Sequence, residues 1–195
     1  MLGLLWACKS DTTQPEGDEK TLIVPVDGDT GQNNQPFYPF IDYLENQIQY
    51  IDTTPIALEQ TVTTDGGKSE PVFIEKAAFK KFMQPFLAIN PELKALKPFY
   101  REKSFVDYTI KKLTFSIEAV ADSLPLRQAD IHLNPENEKV TNIVLNFIRN
   151  YPDSTVVQYL VWEHNMNCQL SEQITTPQGK VYSRVTSIVW DKPLQ

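Results

Sequence analysis

Cysteine, histidine and glycine are all scarce in this chain, at two, two and seven of 195 residues. Cys8 and Cys168 cannot form a CxxC pair, and His132 and His164 lack the spacing of a helical zinc pair. No glycine-rich loop is present to cradle a phosphate, and no serine stands in a nucleophile-elbow context. Runs of positive charge are missing too. The net charge is -7, the pI is near 4.9, and lysines gather only as Lys80-Lys81 and Lys111-Lys112. A duplex-binding surface needs a basic stripe, so nucleic acid is excluded as a partner.

What the chain does have is apolar alternation. A hydrophobic share of 41% with 22% charged residues supports a real core, and the length fits one domain. From Phe105 to Trp190 apolar residues recur with the period of two that a strand with one buried face requires. Six strands are expected: 106–120, 126–133, 139–149, 155–163, 166–174 and 181–191. Pro125, Asn134-Pro135, Tyr151-Pro152, Asn165 and Pro177-Gln178-Gly179 punctuate them. Connections this short forbid parallel crossovers, so the strands form an antiparallel meander of sequential neighbours. Strands this long must twist, which points to a curved sheet or half-barrel.

The strands at 139–149 and 155–163 are apolar on both faces. Ile143, Leu145 and Phe147 oppose Val140, Val144 and Ile148; Val157, Tyr159 and Val161 oppose Val156, Leu160 and Trp162. Two-sided packing under helices or a ligand groove on one face would each explain that pattern.

Ahead of the meander, Phe40, Leu44, Ile48 and Ile51 recur at helical spacing and predict an amphipathic helix stopped by Thr54-Pro55. Ile56 to Val62 alternates as a strand, and Asp65-Gly66-Gly67 signals a hairpin returning through Pro71-Val72-Phe73. Ala78, Phe79, Phe82 and Met83 stripe a second helix over 75–84 that Pro85 ends or kinks. Asn90-Pro91-Glu92 opens a short helix ending by Lys97, and 98–104 reads as a loop. The fold class is therefore α+β, with a long antiparallel meander packed against N-terminal helices over residues 36–195.

The pattern offers few candidates for chemistry. Asp130 and His132 lie two apart on one strand and share a face, the best acid–base pair available to a hydrolase. His132 and His164 fall on non-adjacent strands, roughly 10 Å apart at closest, too far to share a metal. Cys168, between Met166 and Leu170, reads as a buried small hydrophobe rather than a redox-active thiol. Trp162, Tyr182 and Trp190 are the candidate ligand-binding residues, if register sets them on one concave face; otherwise they are core under the helices. No catalytic, metal or cofactor set emerges.

The first residues, Met1 to Leu5-Trp6-Ala7-Cys8, are apolar and end in a small residue before a cysteine. They resemble the lipobox of bacterial lipoproteins, with residues 1–8 a truncated signal peptide and Cys8 the lipid anchor. Residues 9–35, rich in Asp, Thr, Gln, Gly, Asn and Glu, read as a flexible tether interrupted by the apolar island Leu22 to Val26. That island is a candidate edge strand or docking segment. Lys9 after the cysteine, by the same resemblance, implies sorting to the outer membrane.

The helix over 42–51 with Thr54-Pro55, the run from Val72-Phe73-Ile74 to Leu87, and Glu102, Phe105 and Asp107 together resemble uncharacterised lipoproteins of Gram-negative bacteria. That resemblance implies a location and a fold but no activity. The leading expectation is a membrane-tethered, non-enzymatic binding or assembly module of the envelope. Its partner would be another envelope protein or an apolar small molecule. The alternative is a carrier whose curved sheet encloses an acyl chain, and the third reading is the hydrolase.

Overall fold

The computed structural model describes residues 23–25 and 36–190. The strands are β1 (Ile23–Pro25), β2 (Leu58–Thr64), β3 (Gly67–Lys68), β4 (Val72–Ile74), β5 (Tyr100–Asp107), β6 (Lys112–Ala119), β7 (Leu126–Leu133), β8 (Val140–Tyr151), β9 (Ser154–Glu163), β10 (Asn167–Thr175) and β11 (Val181–Val189). All belong to one open antiparallel sheet of order β1-β5-β6-β7-β8-β9-β10-β11-β2-β3, with β4 also pairing β2. From β5 to β11 every neighbour in space is the neighbour in sequence, as the short turns require. The meander therefore has seven strands where six were expected, and the N-terminal hairpin joins the same sheet beside β11, for eleven strands among the described residues.

The hairpin turns as its sequence demands. Asp65 and Gly66 take φ of 46° and 86°, the paired positive values of a type I′ turn that Asp-Gly favours. Asp65 also accepts a bond from Ser183 N at 2.8 Å, tying this turn to β11.

Four expectations need correction. The strand expected over 106–120 is two strands, β5 and β6, and most of the stretch expected as a loop at 98–104 is β5 itself. Thr109 and Ile110 are good strand formers, but Asp107 Oδ1 accepts from their backbone N–H groups at 2.8 and 3.2 Å. That local bonding, with Lys111 at a φ of 49°, reverses the chain without glycine or proline. The helix expected over 90–97 is a set of turns ending in a 3-10 turn at Lys97–Phe99. Of the two outcomes expected at Pro85, an end or a kink, the end does not occur: α2 (Lys76–Leu87) runs two residues past it. Val140 was expected on the face opposite Ile143. Leu133 pairs Val140 and His132 pairs Asn142, so Thr141 is extruded and Val140 swings into the core. A second bulge, between Leu126 and Gln128, does the same for Leu126.

α1 (Phe40–Thr53) and α2 lie on the same sheet face. Tyr38, just ahead of α1, stacks on Phe115 at 5.0 Å, and Phe86 meets Phe147 edge-on at 5.5 Å. Phe79 sits over Trp162 and Trp190 at 6.2 and 5.8 Å. These contacts run from β6 to the residue after β11, six strands that would span roughly 24 Å if flat. Two helices cover only about 20 Å side by side, so the sheet curves around them. Lys76 donates to the carbonyls of Asp52 and Thr54 at the end of α1, where the helix dipole favours a cation. It locks the start of one helix to the end of the other.

The two-sided packing suggested for β8 and β9 is not found among the described residues. Val144, Ile148, Val157 and Val161 stay half-buried on the outer face, shielded by their sheet neighbours.

Phe79 is fully buried, whereas Phe73 on the edge strand β4 is 77% exposed. Phe79→Ala is expected to cost about 3–5 kcal/mol in urea unfolding, and Phe73→Ala no more than about 0.5 kcal/mol. Equal losses would rule out this assignment of the core.

Candidate functional site at the His164 end of the sheet

Among the described residues a depression lies where the β9–β10 turn meets the end of α1. It is a cavity of about 200 Å³ lined by Tyr50, Ile56, Asn165 and Trp190. Asn165 stands at a φ of 57°, a left-handed conformation asparagine tolerates. That geometry aims its amide at His164, with Nδ2 to Nε2 at 3.0 Å. On the other side of the ring, His164 Nδ1 meets Tyr43 Oη at 2.6 Å. With the amide donating to Nε2, a neutral imidazole carries its proton on Nδ1 and donates to the phenol oxygen. Burial, helped by nearby Tyr38, pushes the Tyr43 phenol up to about 12. Tyr43 is therefore a fixed neutral strut at physiological pH, not an acid or base.

A volume of about 200 Å³ is below the roughly 300–1,000 Å³ of small-molecule sites. It accommodates one side chain or a few waters. Its rim combines two aromatic rings with an amide, and exposed Met166 adjoins it. These are the residue types that grip a partner's projecting group.

The candidate ligand residues separate. Register places Trp162, Tyr182 and Trp190 on one face: Trp162 pairs Cys168, Cys168 pairs Ile188, and Tyr182 pairs Ile174 at the far end of β11. Trp162 and Trp190 lie 4.9 Å apart beneath Phe79 at 0% and 6% exposure, so both are core. Trp190 alone touches the cavity. Tyr182 is exposed at the opposite end, under the Lys180 ammonium.

Asp130 and His132 share the outer face, as their spacing requires, but bind different partners. Ser116 Oγ donates to Asp130 at 2.6 Å and Gln128 donates to the same carboxylate at 2.9 Å. His132 Nδ1 meets Thr114 Oγ1 at 2.9 Å. Each bond joins residues directly opposite on β6 and β7, or adjacent on one strand. Neither links the acid to the imidazole, so this pair lacks the geometry of an acid–base dyad. Burial, then the Lys112 charge, hold His132 below its ordinary value of 6.5, with Asp130 opposing. Burial pushes the Cys168 thiol far up, which removes the thiolate that redox chemistry needs.

A fourth cluster escaped the sequence reading. Arg149 Nε donates to Gln158 at 2.9 Å, Gln158 Nε2 to Glu172 at 2.9 Å, and Arg184 Nε to Glu172 at 2.6 Å. Arg149 also donates to the Pro85 carbonyl at 2.9 Å. This chain crosses β8 to β11 on the helix side and clamps the end of α2. Phe147, Gln158, Glu172 and Arg184 are successive register partners, so the signal was present once the strand pairing was known. Among the described residues no group of acidic, histidine and cysteine side chains could hold a metal ion. No described helix is long and apolar enough to cross a membrane. Cys8 lies outside the described residues.

No family model matches the chain, and no curated protein does. Among solved structures, an S-type phycobiliprotein lyase from Guillardia theta aligns over 77% of this chain and 93% of its own, at 9% identity and a TM-score of 0.27. A likeness that distant carries no argument about fold or function.

His132 has its folded pKa depressed, so its stabilising neutral form is complete above about 6.5 and is lost as pH falls through the folded value. Its ring proton resonance is expected to titrate below 6.5, and His132→Gln to flatten the acid side of the stability profile. Titration at or above 6.5 would contradict the burial described. The Cys168 thiol is expected to resist Ellman's reagent until the chain is unfolded.

Proposed function

We propose that this protein is a non-enzymatic binding or assembly module of the Gram-negative envelope, tethered to the outer membrane by a lipid on Cys8. One observation carries the binding role: the helix-covered face is filled, while a small aromatic and amide-rimmed cavity stays open at one end. Phe79, Trp162, Leu160 and Phe147 are all at 0% exposure on that side. A carrier of an acyl chain needs the volume those side chains occupy, and a hydrolase needs Asp130 and His132 to converge. Neither requirement fits as well as a surface that receives one projecting group of another envelope protein. The anchor rests on the residues around Cys8 and the polar stretch after it.

Two measurements test the two halves separately. Cys8→Ser, expressed with a complete signal peptide, is expected to move the protein from the membrane fraction to the soluble one. Retention on the membrane would reject the lipid anchor. Native mass spectrometry of the Cys8→Ser protein is expected to give the bare chain mass. An apolar adduct released on denaturation would replace the docking module with the carrier.

A further inference from the structure

The β5–β6 turn exposes two large apolar side chains. Tyr108 is 68% and Ile110 60% exposed. Turns of this length ordinarily carry Gly, Asn, Asp or Pro, and this one puts Tyr-Thr-Ile at its tip. The tip is fixed rather than loose, because the Asp107 carboxylate holds the backbone N–H groups of Thr109 and Ile110 at 2.8 and 3.2 Å. Charge around it is balanced, with Lys111 paired to Glu136 at 3.2 Å. An ordered, apolar, electrically neutral tip suits the interfacial zone of a bilayer, where tyrosine in particular is favoured.

The path of the chain says which way the tip faces. Ile23 pairs Asp107 and Pro25 pairs Phe105, so the polypeptide enters β1 from the Tyr108 end. Cys8 lies fifteen residues upstream of Ile23, a contour of at most roughly 50 Å. The β9–β10 turn reaches the same end of the sheet and carries exposed Met166 beside the cavity. Tyr151 and Val181 are also exposed, at 52% and 53%, but at the opposite end, away from the entry of the chain.

We infer that the β5–β6 turn is a second membrane contact: Tyr108 and Ile110 insert into the lipid surface to which Cys8 is attached, and they fix which end of the sheet faces the bilayer. The inference rests on the lipid-anchor reading above. It adds an orientation, in which the Asn165 cavity opens close to the membrane plane and the Thr176–Lys180 turn points away.

The test places an environment-sensitive NBD dye at Ile110→Cys or, as a control, at Gln178→Cys. The protein is the full lipidated chain, reconstituted in mixed phosphatidylethanolamine and phosphatidylglycerol vesicles. Cys8 is consumed by the lipid and Cys168 is fully buried, so labelling is specific. Emission at position 110 is expected to shift blue and brighten on vesicles, with position 178 unchanged and added salt without effect. Aqueous emission at both positions while the protein floats with the vesicles would overturn the inference and leave the anchor standing. A shift at 178 instead of 110 would also overturn it. Protein that fails to float would reject the anchor and overturn the inference with it, since intact Tyr108 and Ile110 would then hold no vesicle.

Discussion

Phe79 stands over Trp162 and Trp190, and this three-ring contact is where the helical layer and the sheet commit to each other. Its partners come from β9 and from the residue after β11, strands separated by β10. A single helix side chain can bridge them only if the strands curve toward it. The same constraint recurs at Phe86 against Phe147 and at Tyr38 against Phe115. Large side chains on α1 and α2 fill the hollow that the curvature makes: Phe40, Leu44, Phe79 and Met83 are at 1%, 0%, 0% and 0% exposure.

The architecture was largely legible in the sequence because its period is so regular. Ala129, Ile131 and Leu133 lie on the buried face of β7, and Gln128, Asp130 and His132 on the other, where alternation put them. Two irregularities share one cause. Bulges at Thr141 and near Arg127 shift register by one residue, and a one-residue shift reverses a side chain. Neither position carries a glycine or proline that would announce it. Strand formers likewise concealed the turn after Asp107. The helix expected at Asn90-Pro91-Glu92 had a good start signal but too short an apolar stripe to hold it on the sheet.

The candidate site was far less legible. Trp162, Tyr182 and Trp190 were chosen as aromatics, and composition cannot say whether a ring on a curved face meets solvent or a helix. Here α2 decides it for the two tryptophans. Tyr50, Ile56 and Asn165, which line the cavity with Trp190, come from three separate segments and share no pattern. The Arg149–Gln158–Glu172–Arg184 chain was hidden for a related reason. Buried Glu172 is tolerable only because neighbouring strands deliver a guanidinium and an amide to it, and those partners are 12 and 14 residues away.

Sheets of this length have a hazard at their margins, since unpaired backbone groups invite a foreign strand. One margin is interrupted, where β3 and β4 are two and three residues long. Along the other, Ile23–Pro25 covers Phe105–Asp107, three of the eight residues of β5. Pro25 brings no amide hydrogen, so further growth beyond that strand has one fewer donor to use. The short apolar island in an otherwise polar leader thus works as a selvedge. Proteolytic clipping after Pro25 would leave it held by backbone pairing alone, and its departure would open Phe105–Asp107 to pairing with a foreign strand.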